Sequence, residues 1–92
     1  MPPTACLAAD RTLIQPGETV TFTDCSDFAI QTMIYFPHEQ DLADQTTGYV
    51  FDSDRRFKYV FNSKGAFAAV LQAIGASGTP IREHTVTVVV RD

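Results

Sequence analysis

Thr19-Val20-Thr21-Phe22-Thr23 alternates hydroxyl-bearing and apolar side chains at a period of two. That period puts Val20 and Phe22 on one face of the chain, and the β-branched and aromatic content suits a half-buried pleated strand. Phe57-Lys58-Tyr59-Val60-Phe61 and Thr85-Val86-Thr87-Val88-Val89-Val90 repeat the signature. Ile30 to Phe36 is a further apolar run rich in strand formers, ended by Pro37, which has no N–H to give to a ladder.

Working outward from these strands, Ala66 to Ile74 is the ambiguous stretch, because its alanines favour a helix by intrinsic propensity. Gly65 and Gly75 bracket it too closely for a stable helix, and its apolar residues on both faces suit a strand in the middle of a sandwich. The spacing predicts a strand with Phe67, Ala69, Leu71 and Ala73 on one face. Turn signals fall at Pro16-Gly17, Asp24 to Asp27, Gly48, Asp52 to Asp54, Asn62 to Gly65 and Gly75 to Pro80. Short strands separated in this way predict an all-β fold, an antiparallel two-sheet sandwich of about seven strands. Pro37 to Gly48 is polar and acidic, which predicts a long surface loop.

The chain of 92 residues suits one domain over its whole length, since a chain of this size has surface enough for a single core. Seven Phe and three Tyr supply that core. Eleven acidic against seven basic side chains give a net charge of −4, which repels nucleic acid and anionic membranes. Arg55-Arg56 with Lys58 is the one dense basic spot, offset by Asp52 and Asp54, and reads as a solvated strand end. No apolar run is long enough for a membrane helix, so no direct membrane insertion is expected. Met1-Pro2-Pro3 carries no leader pattern, which leaves either a cytosolic protein or a domain excised from a longer exported chain.

Cys6 and Cys25 are the only cysteines, and Pro16-Gly17 lies almost midway between them. A hairpin closed there sets residues opposite one another when their numbers sum to about 31, as those of the two cysteines do. They then form a disulfide, implying an oxidising compartment, or remain two buried thiols. Zinc fits poorly, because close Cys pairs with accompanying histidines are missing.

Val20-Thr21-Phe22-Thr23-Asp24-Cys25-Ser26, preceded by Pro16-Gly17-Glu18, resembles the opening of the PKD domain, whose bacterial members often carry a Phe-Thr-Asn-Cys-Ser run paired with an earlier cysteine. Phe61-Asn62-Ser63-Lys64-Gly65-Ala66-Phe67, followed by Ala69 and Leu71, is similar to the signature around that family's penultimate strand. The resemblance spans nearly the whole chain and implies an immunoglobulin-like sandwich with a Cys6–Cys25 bond. The chain departs from the family at its Trp-Asp-Phe-Gly-Asp-Gly motif, where Ile34-Tyr35-Phe36-Pro37-His38-Glu39 stands and only Phe36 is retained. Ile34 then takes the core position of the Trp, and Pro37 gives the following loop its own path.

Catalytic chemistry has little to stand on. His38-Glu39-Gln40-Asp41-Leu42 begins like a zinc-protease motif but has Leu42 where the second ligand belongs, and Gly75-Ala76-Ser77-Gly78 is not a nucleophile elbow. His84, in the last strand, reads as a surface side chain. Asp41, Asp44, Asp52 and Asp54 offer hard oxygens for calcium, yet without the spacing of a known loop, so no metal site and no cofactor is expected. The remaining ligand candidates are Tyr35, Tyr49 and Phe51, whose rings suit stacking on a sugar face, together with His38 and Glu39 in the polar loop.

What the resemblance implies is a non-catalytic module outside the cell, at its surface or in the periplasm, that contacts surface proteins or spaces other domains of the same chain. Polysaccharide is the alternative ligand, and the isolated domain is expected to be a monomer. A third reading is pairing through an exposed edge of the last strand, Val86 to Val90.

Overall fold

The alternating segments are all strands in the computed structural model, which describes residues 3–37, 49–76 and 81–92. In chain order these are β1 (Leu7–Ala9), β2 (Leu13–Ile14), β3 (Glu18–Asp24), β4 (Gln31–Tyr35), β5 (Tyr49–Val50), β6 (Arg56–Phe61), β7 (Gly65–Ile74) and β8 (Arg82–Val90). They form a three-stranded sheet in the order β1-β3-β6 and a five-stranded sheet in the order β2-β8-β7-β4-β5. The fold is therefore an all-β two-sheet sandwich, and its order places every neighbouring pair but one antiparallel.

Each sheet contributes one face to a shared core, as the period of two requires. Val20 and Phe22 of β3 and Phe61 of β6 meet Ile34 of β4, Leu71 of β7 and Val88 of β8, all fully buried or nearly so. Phe67, Ala69, Leu71 and Ala73 share the inner face of β7, so the alanine-rich stretch is a strand because sheet pairing on both sides overrides helix propensity. Phe36 is the aromatic hub. Its ring lies 4.0 Å from Tyr59 in a stacked pair, 5.8 Å from Phe22 and 6.2 Å from Phe61, the last two edge-on. Ile34 is 0% exposed.

The opening segment differs from a simple hairpin. β1 does pair with β3 in the register whose numbers sum to 31, Leu7 opposite Asp24 and Ala9 opposite Phe22. Leu7 to Ile14 is not one strand, however, because the chain leaves the first sheet after Ala9. Asp10 marks the break: its amide donates to the Thr21 carbonyl while its carboxylate accepts from the Thr21 amide. Beyond it β2 joins the other sheet, pairing in parallel with β8 at Leu13–Val89 and Ile14–Val90. Pro16-Gly17, with Gly17 at φ 90°, thus turns the chain from one sheet to the other.

This crossing also corrects the expectation of an open last edge. The Val89 amide donates to the Thr12 carbonyl and the Arg91 amide to the Ile14 carbonyl, so β2 covers the end of β8 that includes Val89 and Val90. Among the described residues no strand pairs with the earlier part of that edge, Arg82 to Thr87. No helix of the described residues is long and apolar enough to cross a membrane.

Candidate functional site

One end of the sandwich is built around the disulfide. Cys6 and Cys25 are bonded, with Cα atoms 4.9 Å apart, and the Cys25 amide donates to the Cys6 carbonyl across the same rung. Next to the bond Asp24 and Ser26 are buried polar residues. Ser26 Oγ accepts from the Cys6 amide at 3.0 Å and donates to the Cys6 carbonyl at 3.3 Å, which ties the N-terminal segment to β3. A further antiparallel bridge between Thr4 and Asp27 extends this tie.

The Asp24 carboxylate joins the two sheets. It accepts from the Ser26 amide at 2.9 Å and from the Thr32 hydroxyl of β4 at 2.5 Å, with Arg55 Nη2 3.5 Å away. Burial alone would raise this carboxyl, but the hydrogen bonds from Thr32 and Ser26 and the Arg55 charge together outweigh it and hold the group below its ordinary value. Arg55 also donates to the Ser26 carbonyl at 2.5 Å. It is therefore a clamp on the turn between β3 and β4, while Arg55, Arg56 and Lys58 all remain exposed, as expected of a solvated strand end. The clamp holds Arg55 at φ 65°, a conformation uncommon outside glycine.

Around this polar cluster lies an open cleft of about 530 Å³ between the 25–31 segment and the 50–55 turn. Three apolar side chains stand on its margin largely in solvent: Phe28 at 63% exposure, Ile30 at 74% and Val50 at 66%. Phe28 has φ 61°, which costs of order 1 kcal/mol or more for a bulky side chain and persists only where the surroundings impose it. Those surroundings are fixed: the Thr4–Asp27 bridge holds one flank, and the Ile30 amide donates to the Ile74 carbonyl at 2.7 Å on the other.

The residues singled out from sequence are not all gathered here. Phe51 lines the cleft but is half-buried against the core. Tyr49 faces inward, its ring stacked 5.0 Å from Phe57 and 6.1 Å from Phe36. Tyr35 lies on the opposite, outer face of the same sheet, where its hydroxyl donates to Glu83 at 2.9 Å; burial and then Glu83 raise its pKa. The three rings thus form no common platform. His38 and Glu39 lie outside the described residues, as do Asp41 and Asp44. Asp52 Oδ1 accepts from the Asp54 and Arg56 amides, so it closes the turn before β6. His84 is exposed, and its Nδ1 accepts from the Leu7 amide at 2.7 Å, linking β8 to the edge of β1.

Phe28, Ile30 and Arg55 were not visible as site residues in the sequence. An aromatic residue inside the turn-rich run from Asp24 to Asp27 and beyond was the one available signal. Among the described residues no group of three or more His, Cys, Asp or Glu stands together, and no buried side-chain nitrogen or oxygen lacks a partner. Of the four ionisable residues that line the cleft, Asp24 and Arg55 bind each other and the backbone and Asp52 closes its own turn, so the arrangement around them builds a firm surface. No protein-family model matches the chain, and no curated protein matches it significantly.

Proposed function

We propose that this domain is a non-catalytic contact module of the PKD type, and that it meets a protein surface, either a neighbouring domain or another surface protein, through its disulfide end. The observation that carries this reading is the trio Phe28, Ile30 and Val50, exposed around a cleft whose floor is a fully bonded polar cluster. Apolar side chains on a backbone already fixed by hydrogen bonds need no chain ordering when a partner covers them, which favours their use as an interaction anchor. The likeness of Val20 to Ser26 and of Phe61 to Leu71 to the PKD signatures supports the same class. A small disulfide-bonded β domain is compatible with a location outside the cell or in the periplasm.

A photo-crosslinking amino acid at position 28, introduced into the protein in its native setting, tests the proposal. Capture of a protein partner or of an adjoining domain is expected there and not from the same probe at Lys58, on the outer face of the other sheet. Equal yields at the two positions would remove the argument for this end.

A further inference from the structure

Along one side of the sandwich each sheet presents an edge. β1 is the outer strand of the three-stranded sheet, and among the described residues β8 has no strand beyond it from Arg82 to Thr87. The Cys6 carbonyl accepts from Cys25 and the Asp10 amide donates to Thr21, so every second residue of this segment turns its backbone groups toward β3. Leu7 falls between them and turns its amide away from its own sheet. Asp24, opposite Leu7, does the same on its side, its amide donating to the Arg55 carbonyl. Leu7 is 3% exposed, and its amide finds an acceptor across the sandwich, in Nδ1 of His84 at 2.7 Å. His84 stands on the inner face of β8, in step with Val86, Val88 and Val90. One side chain thus ties together two strands that no ladder joins.

An amide N–H can be received only by a ring nitrogen that holds a lone pair, so this bond requires a neutral imidazole with its proton on Nε2. A second proton makes Nδ1 a donor facing a donor, and the bond is lost outright. Imidazole is the side chain suited to that change between about pH 5 and pH 8. We propose that His84 is a pH-operated clasp: neutral, it fastens the start of β1 to β8; protonated, it releases β1, which the Cys6–Cys25 bond still tethers to β3. The surrounding charges offer the protonated ring nothing to hold the closed form. On β8 Arg82 shares its face, and Glu83 lies on the other, accepting from Tyr35 and Gln72. β7 sets Leu71 opposite, and β1 carries no charge. On β3 the Asp24 carboxylate is held by Ser26, Thr32 and Arg55. Among the described residues no carboxylate makes an ion pair with His84.

Amide exchange measured by NMR on the full oxidised chain at about pH 7.5 and about pH 5.5 tests the proposal, a window above the one in which Asp24 titrates. Protection of the Leu7 amide, relative to an unstructured chain at the same pH, should fall by about 10-fold or more on acidification. That of Leu71, paired on both sides, should hold. His84→Asn sets a side-chain carbonyl near the place of Nδ1 and accepts at either pH, so Leu7 should stay protected throughout. His84→Ala should leave it unprotected at both. Nitrogen chemical shifts of the wild-type ring should show the Nε2–H tautomer at the higher pH, and the Nδ1–H tautomer there would overturn the clasp without any variant. Leu7 protection that is equal at the two pH values, or that falls equally in His84→Asn, overturns it as well. A fall shared by Leu71 would mean loss of the whole fold and would overturn a local release.

Discussion

Replacing Asp24 by Asn would keep the shape of the side chain and remove the charge that the Ser26 amide, the Thr32 hydroxyl and Arg55 share. Because the folded carboxyl titrates below its ordinary value of 3.8, the unfolded chain binds the proton more readily between the two values. The contribution is therefore complete above about pH 4 and is lost as pH falls through the folded value. Urea titrations between pH 7 and pH 2 should show the wild type losing stability in that acid window. Asp24→Asn should be less stable at neutral pH, by about 2 kcal/mol, with a flatter acid limb. Identical slopes for the two proteins would show that Asp24 is not the group responsible. Phe36 makes the complementary case for packing, since its ring touches both sheets, and Phe36→Ala should cost about 3–5 kcal/mol in the same assay. At this scale Val20, Phe22 and Ile34 were legible as core because burial follows a local period. The clamping contacts of exposed Arg55 were not legible, because the Ser26 carbonyl and Asp24 that it meets come from a distant part of the chain.

At the scale of elements the strands could be read but one connection could not. Alternation fixes where β3, β6 and β8 run, and the brackets Gly65 and Gly75 fix β7. The same alternation says nothing about which sheet a two-residue strand joins, so the departure of the chain at Asp10 and the parallel pairing of β2 with β8 appear only once both sheets are in place. The consequence is measurable by amide exchange. Val89 and Arg91, whose amides donate to Thr12 and Ile14, should be protected by at least about 100-fold over Thr85 and Thr87. The latter two face away from β7 along the edge that no described residue pairs. Ile14→Ala, which loosens β2 without touching that edge, should reduce the protection of Val89 and Arg91 first. Uniform protection along β8 would mean that its edge is covered throughout.

For the molecule as a whole the disulfide has the largest leverage, because it links the first strand to the end of the third and closes the loop that contains the sheet crossing. With a sequence separation of 19, the bond removes enough freedom from the unfolded chain to stabilise the fold by about 3 kcal/mol. A domain of this size has only about 5–10 kcal/mol in all, so the bond accounts for a large share of it. Reduction should lower the melting temperature by roughly 12–24 °C, with the β-sheet circular dichroism retained at low temperature. Cys6→Ala with Cys25→Ala should reproduce that shift and make it insensitive to reductant. The compartment follows from the same balance: in a reducing cytosol the chain would keep only the remainder of its stability, whereas outside the cell or in the periplasm it keeps the whole. Thiol labelling of the protein taken from its native source, before and after reduction under denaturing conditions, decides between these settings. Two thiols that label without reductant would place the working form in a reducing environment and remove the chemical reason for placing the domain outside the cell.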